Sequence, residues 1–173
     1  MRRGKRLIPV LALCLVSGQA AWGLEAFKAR IQVSSGGLYD YVLIGERPEA
    51  SDDYDNAYDI VSPGNLNASM GEGFINAVVS HPEWKPALQE LRGDMRSASK
   101  KQQWILVVTS SLERETTLRV ELKPEAGALP TNVRLVLRDE DGGKAVVLSE
   151  APYLVPAPGK KQQLKFELTA EQK

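Results

Sequence analysis

The sequence is poor in the residues that most metal sites and hydrolases use. Its 173 residues include one cysteine, Cys14, and one histidine, His81. A zinc or other transition-metal site draws mainly on cysteine and histidine ligands, and serine or cysteine hydrolases need a histidine base. His81 lies just before a proline in SHPEW, a setting typical of a residue that completes a turn. The composition therefore favours a protein without catalytic residues.

The N-terminal apolar run, LIPVLALCLVSG, is too short to span a bilayer, which takes about 20 residues. It follows four positive charges in MRRGKR and precedes the small residues of QAAWG. This three-part layout is that of a secretory signal peptide. We predict that residues 1–23 are a signal peptide cleaved after Gly23, with cleavage after Ala20 as the alternative. Residues 24–173 then form a single domain that is periplasmic or extracellular.

Cys14 lies inside this apolar run and raises the question of a lipid anchor. The lipoprotein signal requires glycine, alanine or serine before the modified cysteine, whereas this chain has Leu13 there. We therefore do not expect a lipoprotein. The mature chain contains no cysteine, so neither disulfides nor thiol chemistry stabilise it.

The charge balance gives no basic surface. Four of the 22 basic residues and none of the 22 acidic ones lie in residues 1–23, so the mature chain carries 18 basic against 22 acidic residues. A mildly acidic protein is a poor partner for nucleic acid or for an anionic membrane. We expect the partner to be another envelope or extracellular protein. No pattern in the sequence indicates the oligomeric state.

Alternation of apolar and polar residues dominates the mature chain. It is clearest in FKARIQVSS, TLRVELK, NVRLVLRD and QLKFELT, and each of these predicts a strand with one buried face. Three further runs, YDYVLIG, FINAVVS and WILVVTS, are apolar on both faces and predict central strands. Turn-rich connectors separate them, and PALQELR from Pro86 predicts one short helix because Leu88 and Leu91 are three residues apart.

About eight or nine short strands with such connectors predict an all-β immunoglobulin/fibronectin type III-like antiparallel sandwich. A closed barrel is the next alternative. The absence of alternating strands and helices argues against a nucleotide-binding α/β fold.

The stretch ASDDYDNAYDIVSP, residues 50–63, is the densest group of carboxylates, and we call it the aspartate loop. Its spacing excludes an EF-hand, because a loop that starts at Asp53 would have Ala57 and Tyr58 at its fifth and sixth positions. Two interpretations stay open. The aspartates bond nearby backbone N–H groups while the two tyrosines bury their rings, or a looser calcium site uses Asp52, Asp53, Asp55 and Asp59.

The aspartate loop also resembles a known signature. A β-sandwich module of secreted Gram-negative bacterial proteins has Ala-Thr-Asp-Gly-Tyr-Asp, then Tyr/Phe-Asp, then a proline. The matching positions here are Ala50, Ser51, Asp52, Asp53, Tyr54, Asp55, Tyr58, Asp59 and Pro63. Serine replaces the threonine and aspartate replaces the glycine. The resemblance spans about residues 27–122 and implies an accessory immunoglobulin/fibronectin type III-like module with no catalytic residues and no cofactor.

The resemblance also implies structural roles outside the loop. The step Asp94-Met95-Arg96 is expected to form a strand beside the aspartate loop, with Met95 buried and Arg96 paired to Asp59 or Asp55. Tyr54 and Tyr58 would pack within the loop, and Trp104 would begin a core strand.

Arg92-Gly93-Asp94 matches a tripeptide that animal integrins bind, but the packing residues around it argue against an adhesive role.

These observations rank three functions. The first is an exported, non-enzymatic binding or structural module in the periplasm or at the cell surface. The second is a calcium-stabilised adhesion or carbohydrate-binding module. The third is a small hydrolase that uses paired carboxylates.

Overall fold

The computed structural model describes residues 23–125 and 129–173. The predicted signal peptide, apart from Gly23, and Cys14 with it lie outside these residues. The all-β fold is confirmed. The strands are β1 (Phe27–Ser35), β2 (Leu38–Glu46), β3 (Ile60–Val61), β4 (Ile75–Ser80), β5 (Glu90–Arg96), β6 (Lys101–Ser110), β7 (Thr117–Lys123), β8 (Val133–Asp139), β9 (Ala145–Val147), β10 (Tyr153–Pro156) and β11 (Gln163–Gln172). One short helix, α1 (Leu66–Met70), and a 3₁₀ turn at Pro86–Leu88 complete the described part.

Hydrogen bonds connect these strands into one nearly closed, barrel-like sheet rather than two separate sheets. Its order is β10-β7-β1-β2-β5-β4-β6-β11-β8-β9, and β3 pairs with β5 outside this path. The two edge strands, β9 and β10, follow each other in the chain. Where their backbones do not pair, the Tyr153 hydroxyl donates to Asp139 (2.9 Å), and the Tyr153 ring contacts Phe166 edge to face. These side-chain contacts tie the edge strand β10 to β8 and β11.

The alternating pattern correctly predicts the buried faces of the long strands. Ile31 and Val33 in β1, Leu135 and Leu137 in β8, and Phe166 in β11 are fully buried. The doubly apolar runs in β2 and β4 are buried on both faces over much of their length, whereas β6 is buried on one face only.

The helix predicted at PALQELR is wrong. Only Pro86–Leu88 form a 3₁₀ turn, and Leu91 belongs to β5, where it is fully buried. β5 pairs in parallel with β2 and antiparallel with β4 and β3. Two leucines three residues apart fit a helix, but they also fit a turn followed by a strand. Here the turn and strand form, because β5 pairs with β2, β3 and β4.

Gly45 in β2 allows a close approach of neighbouring backbone. A Cβ atom at this position would overlap the Phe27 carbonyl oxygen and lie 2.5 Å from the Met95 Cε. We expect Gly45→Ala to lower the free energy of unfolding by about 1–3 kcal/mol through overpacking. Thermal unfolding measures this, with Gly37→Ala as the control because no heavy atom lies within 4 Å of a Cβ there. Equal melting temperatures for the two variants would contradict the close contact at Gly45.

Within residues 23–125 and 129–173, no helix is long and apolar enough to cross a membrane.

Candidate functional site

The aspartate loop is held against β5 by a buried carboxylate. The two oxygens of Asp59 accept hydrogen bonds from the backbone N–H groups of Met95 (2.9 Å) and Asp55 (2.8 Å). Burial raises the pKa of Asp59 above its ordinary value of 3.8, and the nearby carboxylates of Asp94 and Asp55 raise it further. The two hydrogen bonds from backbone N–H groups lower this pKa but do not offset these effects. Asp59 therefore fixes the position of the loop over the strand.

The other aspartates of the loop have different partners. Asp52 accepts bonds from the Ser97 N–H (3.1 Å), the Ser97 hydroxyl (2.8 Å) and Gln102 (3.0 Å). Asp55 accepts a bond from the backbone N–H of Ala57 (2.9 Å), which forms a local turn. Asp53 is exposed. In the part of the chain that the structure describes, no group of three or more acidic, histidine or cysteine side chains is placed to hold a metal ion.

The carboxylates of Asp52, Asp55 and Asp59 bond groups of the protein itself, and a melting experiment separates this arrangement from a calcium site. We expect the same Tm in millimolar calcium and in chelator, since the carboxylates of Asp52, Asp55 and Asp59 already accept hydrogen bonds from the protein. A calcium-dependent rise of several degrees would instead show an ion bound to the loop. A magnesium titration serves as the control for ionic strength.

Both tyrosines of the loop contact other side chains. The Tyr54 ring meets Trp84 edge to face at 6.4 Å, and its hydroxyl donates to Asn56 (3.3 Å). The guanidinium of Arg47 lies 5.7 Å from the centre of the Tyr58 ring. Trp104 is buried in the core at 1% exposure, as its place in a core strand predicts.

Arg96 does not pair with Asp59 or Asp55. Its guanidinium donates to Asp94 (3.1 Å) on the same side of β5. Met95 between them is buried, as predicted, and it lies beside Gly45 and under the aspartate loop. Residues 94 and 96 are two apart in a strand and so share one face, where Asp94 accepts from the guanidinium. Asp59 instead bonds the backbone N–H of Met95 between them.

Asp94 joins Arg96 to His81 in a group of charges that is centred on the buried residues His81 and Asp94. We call it the His81 cluster, and it consists of His81, Glu83, Asp94 and Arg96. The His81 Nε2 lies 2.8 Å from an Asp94 oxygen, and its Nδ1 lies 3.0 Å from a Glu83 oxygen. A ring that donates from both nitrogens is the charged imidazolium. The ring also stacks on Trp84, with centroids 3.7 Å apart.

Burial by itself lowers the pKa of His81, but its bonds to Asp94 and Glu83 outweigh burial and hold this pKa above the ordinary value of 6.5. For the acid Asp94, burial has the opposite effect and by itself raises the pKa. The hydrogen bond from His81 and the positive charge of Arg96 outweigh burial and hold the pKa of Asp94 below its ordinary value of 3.8. His81 and Asp94 are only 3% and 2% exposed. The pair of His81 and Asp94 at the centre of the cluster is therefore enclosed, and Glu83 forms the exposed edge of the cluster.

Stability is expected to depend on pH through this cluster. Because the pKa of His81 is raised on folding, its bonds contribute fully below the unfolded value of 6.5 and are lost as pH rises through the higher folded pKa. The difference in Tm between the wild type and His81→Gln should be largest at about pH 6 and shrink toward about pH 9. A difference that is constant across this range would mean that His81 is not charged in the fold.

The sequence indicated a structural role for Asp94 and Arg96, but it did not indicate His81 as their partner. His81 was expected only to complete a turn, and its carbonyl does accept the Trp84 N–H (3.0 Å). The available signal was the grouping of histidine, glutamate and tryptophan in SHPEW. The tripeptide Arg92-Gly93-Asp94 lies inside β5 with Asp94 buried, so it is not displayed at a surface tip.

Comparisons with protein-family models, with curated proteins and with solved structures find no match to this chain.

Proposed function

We propose that this protein is an exported, non-enzymatic module that works by binding another envelope or extracellular protein. The observation that carries this proposal is the distribution of exposed apolar side chains. Four of the seven large apolar side chains exposed in the described residues fall within residues 60–70, on β3 and α1: Ile60, Val61, Leu66 and Met70. We call these four the 60–70 patch. They lie close together in the sequence, and we take them to form one surface of the kind that marks protein interaction sites.

The geometry of α1 supports this function. Leu66 and Met70 are four residues apart and so share one face of the helix, and they are 73% and 64% exposed. The Asn65 side chain caps the helix by accepting from the Ala68 N–H (3.0 Å), and its amide donates to the Ile75 carbonyl (2.8 Å). The apolar side chains are thus displayed on an anchored segment.

The chemistry of the interior also supports a non-enzymatic role. The single histidine is buried between two carboxylates, and the aspartates Asp52, Asp55 and Asp59 accept bonds from backbone and neighbouring side chains. A general base needs hydrogen-bond access to a bound substrate, and His81 has no such access.

The proposal extends to the fold type. An immunoglobulin/fibronectin type III-like sandwich would place β10, β7, β1 and β2 over β6, β11 and β8. The edge-to-face contact of Tyr153 in β10 with Phe166 in β11 supports it, because these two strands face each other without backbone pairing. The signature of the aspartate loop supports the same class.

Capture from native envelope extracts tests the binding function. The mature protein is immobilised beside a Leu66→Ser/Met70→Ser double variant and a Leu154→Ser control, in which another exposed leucine, on β10, is changed. We expect a protein that the wild type and the control retain and the double variant loses. Equal capture by all three proteins, or turnover of ester or glycoside substrates by the pure protein, would refute the proposal.

A further inference from the structure

A pocket of about 310 Å³ lies between the outer faces of β2 and β5 and the Ala57–Ile60 part of the aspartate loop. We call it the Tyr58 pocket. Leu43 and Met95 are buried beneath it, and Tyr58 and Ile60 form the wall. Its volume is at the lower end of the range of small-molecule sites, about 300–1,000 Å³.

The wall of the pocket is fixed by contacts already in place. Asp59 lies between Tyr58 and Ile60 and is bonded to the Met95 N–H, which ties the wall to β5. Gly93 lets the Ile60 side chain lie directly on the strand, since a Cβ at this position would be 3.2 Å from Ile60 Cγ1 and Cδ1. The pocket is therefore formed before any ligand binds, which reduces the cost of binding.

The polar groups of the pocket are cationic. Lys28 and Arg47 line it, and within the described residues neither has a carboxylate within 4.0 Å. No acidic side chain is among the lining residues. Glu125, which lines a neighbouring cavity together with Lys28, pairs instead with Arg30 at 3.6 Å. Two uncompensated positive charges thus face an apolar floor in a mildly acidic protein.

We propose that the Tyr58 pocket binds a small organic monocarboxylate with an apolar aliphatic or aromatic body. The carboxylate pairs with Lys28 and Arg47, whose guanidinium can form two parallel hydrogen bonds with it. The apolar body packs on Leu43 and Met95, and its surface is thereby removed from water. This ligand site goes beyond the proposed protein partner: Ile60 is common to the pocket and the 60–70 patch, but Leu66 and Met70, which test the partner, do not line the pocket.

Titration of the ¹⁵N-labelled mature protein with 4-phenylbutyrate tests the proposal. We expect saturable amide shifts centred on Ala57, Tyr58 and Gly93. The neutral 4-phenylbutan-1-ol should bind about tenfold more weakly or worse, because it lacks the charged hydrogen bonds. The cationic 4-phenylbutylamine should not bind at this pocket.

Matched charge variants locate the anion. Arg47→Gln and Lys28→Gln are each expected to weaken 4-phenylbutyrate about tenfold. Lys165→Gln removes one positive charge from an exposed position on β11 and should leave affinity unchanged. A Tm close to that of the wild type shows that each variant is folded. Arg47→Gln keeps the backbone bond from Arg47 to the Arg96 carbonyl, and the Tm also measures any loss of the contact between the guanidinium and the Tyr58 ring.

Several results would overturn the proposal: no saturable binding of any of the three probes, equal affinity for the alcohol and the carboxylate, shifts away from the pocket, or an Arg47→Gln variant that binds like the wild type. The Leu66→Ser/Met70→Ser variant should bind 4-phenylbutyrate normally. A wild-type protein that captures a partner but does not bind 4-phenylbutyrate would refute the pocket alone, and one that binds 4-phenylbutyrate but captures no partner would refute the protein partner alone.

Discussion

Replacing Asp94 by alanine is expected to lower the free energy of unfolding by about 3–5 kcal/mol at pH 6. The substitution leaves His81, which is charged at this pH, without its 2.8 Å partner and removes the carboxylate that Arg96 binds. Both cations are mostly buried, and losing one partner of a buried pair leaves uncompensated charge. Urea unfolding followed by tryptophan fluorescence measures the change, because Trp84 stacks on His81.

Glu83→Gln is the matched control for this cluster. Glu83 bonds the other nitrogen of His81, but its side chain is 62% exposed. Exposed ion pairs contribute at most about 1 kcal/mol, so this variant should unfold almost as the wild type does. Similar losses for Asp94→Ala and Glu83→Gln would show that burial does not decide the energetics of the cluster.

Replacing Trp104 by alanine is expected to cost about 3–5 kcal/mol, as large-to-small substitutions in a core do. The Trp104 side chain is 1% exposed at the buried face of β6, with the Arg96 guanidinium 5.6 Å from its ring. Its loss opens a cavity between strands that pair on both sides of β6. Thermal and urea unfolding both measure this loss.

Trp104→Phe distinguishes lost volume from a lost hydrogen bond. The Trp104 Nε1 is buried and has no hydrogen-bond partner among the described residues. Phenylalanine keeps most of the ring volume and removes a buried donor that is not satisfied, so it should cost much less than alanine. A loss as large as that of the alanine variant would mean that the indole N–H has a partner in solution.

The strands with one buried face were predictable because their pattern is local. In β8, Val133, Leu135 and Leu137 are buried, while Arg134, Val136 and Arg138 between them lie on the more exposed face. A strand that buries one face shows this two-residue period. β5 was not predictable in the same way. The residues Pro86 to Leu91 fit a helix equally well, and only pairing with β2, β3 and β4 makes Leu91 part of a strand.

The candidate sites were predictable as groups of residues but not as contacts. The aspartate loop was placed beside the Asp94–Arg96 strand, and Asp59 does bond that strand through the Met95 N–H. The predicted partner of Arg96 was wrong, because Asp94 on the same face of β5 accepts from the guanidinium, while Asp59 bonds the Met95 backbone. The burial of His81 was also not predictable, since a lone histidine before a proline looks the same in an exposed turn.

Taken alone, the sequence determines the all-β class, the buried faces of the long strands and the scarcity of metal and thiol ligands. Each of these depends on composition or on a two-residue period. The tertiary structure decides which charges meet. Asp94, Arg96 and His81 come together because β4 and β5 are neighbours, and the Tyr58 pocket exists because Asp59 and Gly93 hold the loop against β5. Such contacts depend on strand order and register, which local spacing does not encode.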